Sequence, residues 1–209
     1  MTGVTTDGAV TDPCAEPVPA ARWLGADERE AWLGLVRVMA KLPPLLDAQL
    51  ERSAGLNFFG YTILAMLSEQ PDRALRMSRL ATITNASPSR LSHAARQLES
   101  RGLIVREPDP TDGRCIRAVL TDAGWDTVVG AAPGHVAAVR ALVVDALGPR
   151  QLDALREASG QILRRVDPDG STRPSWSTGD GSGPGPDRPD RPDRPGRPAH
   201  AAARGDTGP

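Results

Sequence analysis

A mainly α-helical fold carrying a small β-wing is predicted by three features of the chain. Helix-start signals at Ser78 and at Ser87-Pro88 enclose a short turn, two β-rich runs (103–105 and 116–120) flank a tight loop, and long apolar stripes at helical spacing lie on either side. The order helix, turn, helix, hairpin spells a winged helix-turn-helix over residues 76–121, framed by N- and C-terminal helices suited to dimerisation. The loop is the most informative of these features. It reads Pro108-Asp109-Pro110-Thr111-Asp112-Gly113-Arg114, between Leu103-Ile104-Val105 and Ile116-Arg117-Ala118-Val119-Leu120. Its glycine permits a left-handed backbone and its prolines stiffen the entry, as a short hairpin requires.

Each element follows from local signals. Residues 1–25 are small, polar and Pro-containing, and are expected to be disordered. Over 28–52, Trp32, Leu35, Val36, Met39, Leu42, Leu46 and Leu50 recur every three or four residues as an amphipathic stripe, with a kink or break expected at Pro43-Pro44. Asn57 suits the cap of a helix through Tyr61, Leu64 and Leu67 to about Gln70, and Ser78 the cap of a short helix through Leu80 and Ala81. Ser87 and Pro88 are natural N-cap and N1 residues for the next helix, whose Leu91, Ala94, Ala95 and Leu98 form a packing stripe and which Gly102 closes. Thr121 caps a helix over 122–146 bearing Trp125, Val128, Val129, Ala132, Val136, Val139 and Val143, with Pro133-Gly134 as a weak point. Pro149 opens the last helix, 149–166, with Leu152, Leu155, Ile162 and Val166. Residues 167–209 hold nine Pro and eight Gly and repeat Pro-Asp-Arg at 186–194, so a disordered tail is expected.

Composition bounds the function. The net charge of −1 excludes a uniformly basic coat, yet residues 76–117 carry eight Arg against four acids, a local surplus fitting nucleic acid. Lys41 is the only lysine, a bias that fits a GC-rich genome better than selection for binding. Cys14 and Cys115 form neither a disulfide framework nor a metal-ligand spacing, and His93, His135 and His200 are scattered. No signal peptide is evident and no run approaches the ~18 apolar residues of a membrane span, so a cytoplasmic protein is expected. With no Ser/His/Asp grouping and no Gly-rich phosphate loop, neither an enzyme nor a bound cofactor is expected.

The second helix of such a motif lies in the major groove with its N-terminal residues at base edges. Here the polar side offers Ser87, Ser89, Arg90, Ser92, His93, Arg96 and Gln97 to phosphates and bases, and Arg90 suits a bidentate contact to guanine. Arg114 at the loop tip is expected in a minor groove, where narrow A·T-rich tracts deepen the negative potential. Asp112 cannot attract DNA; its expected role is to hold the Arg114 guanidinium, or simply to form the turn.

These motifs carry a family likeness. Leu64-Ala65-Met66-Leu67, Met77-Ser78-Arg79-Leu80-Ala81, Ser87-Pro88-Ser89-Arg90-Leu91-Ser92, Leu98-Glu99-Ser100-Arg101-Gly102-Leu103-Ile104, and Asp112-Gly113-Arg114 followed by Leu120-Thr121-Asp122-Ala123-Gly124 resemble the MarR (multiple antibiotic resistance regulator) family of bacterial transcription factors. The resemblance spans about 56–124, within a domain placed at 26–166. It implies a triangular homodimer, a pseudo-palindromic operator, and repression relieved by a small ligand. The long terminal stripes also ask for a partner surface, which a two-fold dimer supplies. An anionic aromatic effector would meet Trp32, Met39, Phe58, Phe59 and Tyr61, although such residues commonly build core. Oxidant sensing through Cys14 or Cys115 is disfavoured, because Cys14 lacks a basic neighbour to stabilise a thiolate and both thiols read as incidental. The alternatives are a non-specific nucleoid-type DNA-binding protein, which the Pro/Arg tail would serve, and a winged helix kept as a protein-interaction module.

Overall fold

The computed structural model describes residues 22–172. The expectations for Cys14, for the N-terminal segment to 21 and for the Pro-Asp-Arg repeats lie outside the described residues. The chain divides into two compact units at Pro44–Leu45, within the first helix.

In the first unit, helix α1 (Ala26–Ala54) begins with Asp27 and Glu28 in its first turn, where acids complement the helix dipole, and Glu28 Oε2 accepts the Gly25 N–H at 2.8 Å. Pro43 and Pro44 lie inside the helix without the break expected there. Each removes one intrahelical donor, but both prolines and the carbonyl-bearing Met39 and Ala40 are exposed, so the freed acceptors are open to solvent. Trp32, Leu35 and Met39 are exposed as well, and the stripe is buried only further on, at Leu46 and Leu50.

The second unit contains the end of α1, α2 (Phe58–Ser68), β1 (Ala74–Arg76), α3 (Met77–Ile83), α4 (Pro88–Ser100), β2 (Ile104–Pro108), β3 (Ile116–Leu120), α5 (Asp122–Val139) and α6 (Pro149–Val166). Its core is centred on α2, an almost wholly apolar helix whose Ile63, Leu64 and Leu67 are fully buried with Leu50, Leu80, Leu91 and Ile104. Asn57 caps α2 as expected, its Oδ1 accepting the Gly60 N–H at 2.7 Å. Ser78 does not cap α3: the helix begins one residue earlier with no side-chain cap, and the Ser78 carbonyl accepts from Thr82 instead. Asn85, at φ 47°, makes the turn between α3 and α4, a left-handed position that asparagine tolerates.

The sheet has three antiparallel strands in the order β1-β3-β2, where the sequence predicts only the hairpin. In register, Leu75 faces Ala118 and Arg106 faces the same residue from the other side. The hairpin loop closes without the left-handed glycine expected of it, since Gly113 has no positive φ. Closure comes instead from the Asp109 N–H donating to the Cys115 carbonyl at 2.8 Å, and from the Asp112 and Cys115 N–H groups donating to the Asp109 and Asp112 carbonyls.

The Leu-Thr-x-x-Gly run after the wing has a steric basis. Thr121 Oγ1 accepts the Gly124 N–H at 3.0 Å and donates to the Gly102 carbonyl at 2.7 Å, so one hydroxyl joins the end of α4 to the start of α5. A Cβ on Gly124 would lie 2.1 Å from the Leu103 carbonyl oxygen, leaving room for no other residue. α5 runs unbroken through Pro133-Gly134 and continues as a π-turn over Arg140–Val144. Together Asp122–Val144 make one helix of 23 residues with a mean hydropathy of 1.5 in its most apolar window, long and apolar enough to cross a membrane by those measures alone. This corrects the expectation from composition: Val, Ala and Leu residues outweigh His135 and Arg140 in the average. Val128 and Ala131 of the same helix sit in the core with α2.

Residues 167–172, assigned to the tail by composition, form a bonded turn. Asp167 accepts from both the backbone N–H and the hydroxyl of Ser171 and of Thr172, and the Ser171 carbonyl accepts from Arg79 Nη1 of α3 at 2.8 Å.

Candidate nucleic-acid interface

Helix α4 divides by its own periodicity. Leu91, Ala94, Ala95 and Leu98 are buried, which leaves Ser87, Ser89, Arg90, His93, Arg96 and Gln97 exposed and Ser92 half-buried on the other side. Its start is fixed twice, by Pro88 at N1 and by Ser87 Oγ accepting the Arg90 N–H at 3.3 Å. Its end is fixed by Gly102 at φ 70°, with the Gly102 and Leu103 N–H groups donating to the Glu99 and Leu98 carbonyls. The helix is thus held at both ends with its polar side free.

The local arginine surplus resolves into two groups. Arg76 pairs with Asp109 at 2.8 Å, Arg106 with Glu99 at 2.6 Å, and Arg117 with Glu107 at 2.8 Å and Asp72 at 3.5 Å. Arg101 donates to the Gly55 and Ala54 carbonyls and so caps the end of α1. These four bind the fold together. Arg79, Arg90, Arg96 and Arg114 have no carboxylate partner among the described residues. They lie on α3, on α4 and at the wing tip. Arg79 is an addition to the sequence-based set, on the helix that in such motifs crosses the DNA backbone.

Two aspartates shape the wing, and their roles differ from the sequence expectation. Asp112 does not hold the Arg114 guanidinium; its Oδ1 accepts the Arg114 backbone N–H at 3.2 Å and its Oδ2 accepts from Cys115 Sγ at 3.4 Å, which is turn formation. The anchor is Asp109, with only 9% exposure. Its carboxylate receives Arg76 Nε and Nη2, the Thr111 hydroxyl and the Thr111 and Asp112 N–H groups. The hydrogen bonds from Arg76 and Thr111 hold that carboxyl well below the usual carboxylate range. Arg76 ends β1, so the pair ties the loop to the neighbouring strand, a link 33 residues apart in sequence. Beside it, the Asp112 carboxylate keeps the Cys115 thiol above the ordinary cysteine range, which disfavours the reactive thiolate.

Of the residues proposed for an effector, Tyr61 is buried in the core, Phe58 is half-buried against the His135 ring, and the face of Phe59 is covered by Arg90. Trp32 and Met39 are exposed on α1. Among the described residues no group of three His, Cys, Asp or Glu is gathered as metal ligands.

A winged helix-turn-helix with arginines that lack carboxylate partners on α3, α4 and the wing defines a class of DNA-reading proteins, and comparison with known proteins narrows it. The MarR family profile matches residues 54–114. The chain is 40% identical to Sco3205, a MarR family transcriptional regulator from Streptomyces coelicolor crystallised in complex with DNA, over 70% of this chain and 95% of that one, with a TM-score of 0.67. It is 39% identical to AbsC, another MarR family regulator of that organism, over 70% and 98% of the two chains, with a TM-score of 0.66. The transcriptional repressor MprA of Escherichia coli is 26% identical over 116 residues, which is 56% of this chain and only 65% of that protein. The chain belongs to the MarR family, whose members regulate transcription and are not enzymes.

Proposed function

We propose that this chain is a sequence-specific, DNA-binding transcriptional repressor that grips a pseudo-palindromic operator as a homodimer. One observation carries the reading: Arg79, Arg90, Arg96 and Arg114 stand without carboxylate partners on the three elements that such a fold presents to DNA, while the other arginines of the segment are consumed by the fold. In this reading α4 enters the major groove with Ser89, Arg90, Ser92, His93, Arg96 and Gln97, and Ser87 fixes its first turn. Arg114 reaches the adjacent minor groove, and Asp112 serves it by shaping the turn beneath. The likeness to a regulator crystallised with DNA supports the same partner.

The homodimer is supported by apolar side chains that the described chain leaves uncovered, on α1, on α5 and along α6. A small aromatic effector is part of the proposal, with the half-buried Phe58 as apolar surface for it. A cytoplasmic location is part of the same proposal, since the target would be chromosomal DNA. The deciding experiment is a competition titration across salt concentrations between a duplex selected by the protein from a random pool and a shuffled duplex of equal length. A preference for the selected duplex of at least about a thousand-fold, the low end for specific binders, is expected. Equal affinities would instead mark a nucleoid-type protein, and absence of binding at low salt a protein-interaction module.

A further inference from the structure

We infer that Phe59 is a positioning residue for base reading, holding the Arg90 guanidinium in the plane it needs to address a base pair. The inference rests on the proposed DNA-binding function and assigns a role outside the face that touches DNA. The Arg90 guanidinium carbon lies 4.3 Å from the Phe59 ring centroid, within cation–π range. Stacking covers one face of the guanidinium and leaves its N–H groups, which all lie in its plane, free to donate. A carboxylate partner would consume those donors, as Glu99 does for Arg106 through Nε and Nη2. Phe59 therefore restrains Arg90 without competing for the O6 and N7 acceptors of a guanine.

The platform under the ring is itself fixed. Asp47 Oδ1 on α1 accepts the Phe58 N–H at 2.5 Å, and Asn57 caps the next turn through Gly60. Gly60 leaves room for that cap: a Cβ there would stand 3.2 Å from Asn57 Oδ1, while its contact with Leu98 of α4 would be an ordinary 3.7 Å. On the other side Ser87 pins the Arg90 backbone. Ring and guanidinium are thus carried by two helix starts, each held by its own cap, and a long flexible side chain is ordered before DNA arrives. Restraining it in advance removes part of the side-chain entropy cost of recognition.

The test compares the full chain with Phe59→Leu, Phe59→Met, Phe59→Trp and Arg90→Ala. Duplexes selected from a random pool by the unaltered protein define its preferred base pairs, and each protein is titrated on that duplex and on versions changed one pair at a time. Arg90→Ala is expected to lose preference at one pair of each half-site. Phe59→Leu and Phe59→Met, which keep apolar volume but lose the ring face, are expected to lose about two- to five-fold of the discrimination at that same pair, as expected for an exposed cation–π contact. Phe59→Trp is expected to retain it, and the salt dependence is expected to be unchanged in all three Phe59 variants, since no phosphate contact is altered. Unfolding curves confirm which variants are folded, and either folded variant suffices. Full discrimination in a folded Phe59→Leu or Phe59→Met protein, while Arg90→Ala loses it, overturns this role and leaves the DNA-reading assignment standing. No preference lost in Arg90→Ala, or no preferred sequence for the unaltered protein, overturns both.

Discussion

Arg114 differs from its neighbours in what it does not touch. Its backbone is tied into the turn by Asp112, yet its guanidinium is exposed and carries no ion pair among the described residues. Replacing it with alanine should leave the thermal midpoint unchanged and weaken operator binding. The log–log salt slope should fall by about one for each lost phosphate neutralisation, hence about two for a dimer, and an unchanged slope and affinity would remove Arg114 from the interface. His135 answers to pH instead. It packs against the rings of Phe58 and Tyr61, its Nδ1 is buried without a partner, and burial holds its pKa below the ordinary imidazole value. Because the folded value is the lower one, the unfolded chain takes the proton first as pH falls. The stability that neutral His135 contributes is therefore complete above about pH 6.5 and declines below it, through the depressed folded pKa. Thermal unfolding from pH 7.5 to 5.0 should show a steeper loss for the unaltered protein than for His135→Phe, and parallel profiles would refute the assignment.

The elements around the site were legible where their signals are local. Asn57, Ser87 and Thr121 cap helices as short polar side chains before an apolar period do, although the same signal at Ser78 misplaced the start of α3, and the packing stripe of α4 sets its exposed side by periodicity alone. Non-local facts were not legible. β1 is a three-residue strand, too short for an alternation to show, and it exists because β3 supplies its partners. The count of eight arginines overstated the basic surface because pairing with Asp72, Glu99, Glu107 and Asp109 is a property of the folded chain. Asp109, inside a loop rich in turn residues, gave no sign that it is the buried anchor. Its importance can be measured: Asp109→Ala strips the acceptor from Arg76 and from two N–H groups, so the wing should lose its fixed aim. Operator affinity should drop about ten-fold or more, whereas loss of wing protection from hydrogen exchange locates the effect. Gly124→Ala tests the junction between wing and α5. With the Leu103 carbonyl oxygen 2.1 Å from the added atom and Leu120 Cδ1 at 2.7 Å, α5 must shift, at a cost of roughly 1–3 kcal/mol or more. A variant as stable as the unaltered protein in a denaturant titration would show that α5 shifts freely.

For the whole molecule, the uncovered apolar surface is the dominant fact. Along α6, Leu152, Leu155, Ile162 and Val166 are spaced by three, seven and four residues, as on one face of a helix, yet their exposures run from 39% to 71%. Val129 and Val136 of α5 and Trp32, Leu35 and Met39 of α1 are likewise uncovered. A lone chain would keep this surface in water, at about 25 cal/mol per Å² of apolar area left unburied. In the proposed homodimer, a second copy related by a two-fold axis would cover the same patches on both chains at once, and it would also place two α4 helices and two wings on one duplex. The two requirements, apolar burial and half-site pairing, would then be met by a single contact. Leu155→Glu combined with Ile162→Glu should therefore yield a folded monomer in sedimentation equilibrium, because charge is added only where α6 is exposed in the single chain. Its operator affinity should fall by roughly 10²- to 10⁴-fold, since the second half-site is no longer engaged as an intramolecular event. A monomeric variant that still binds the full operator at undiminished affinity would show that one chain reads DNA alone, and a doubly charged α6 that still sediments as a dimer would move the pairing surface elsewhere.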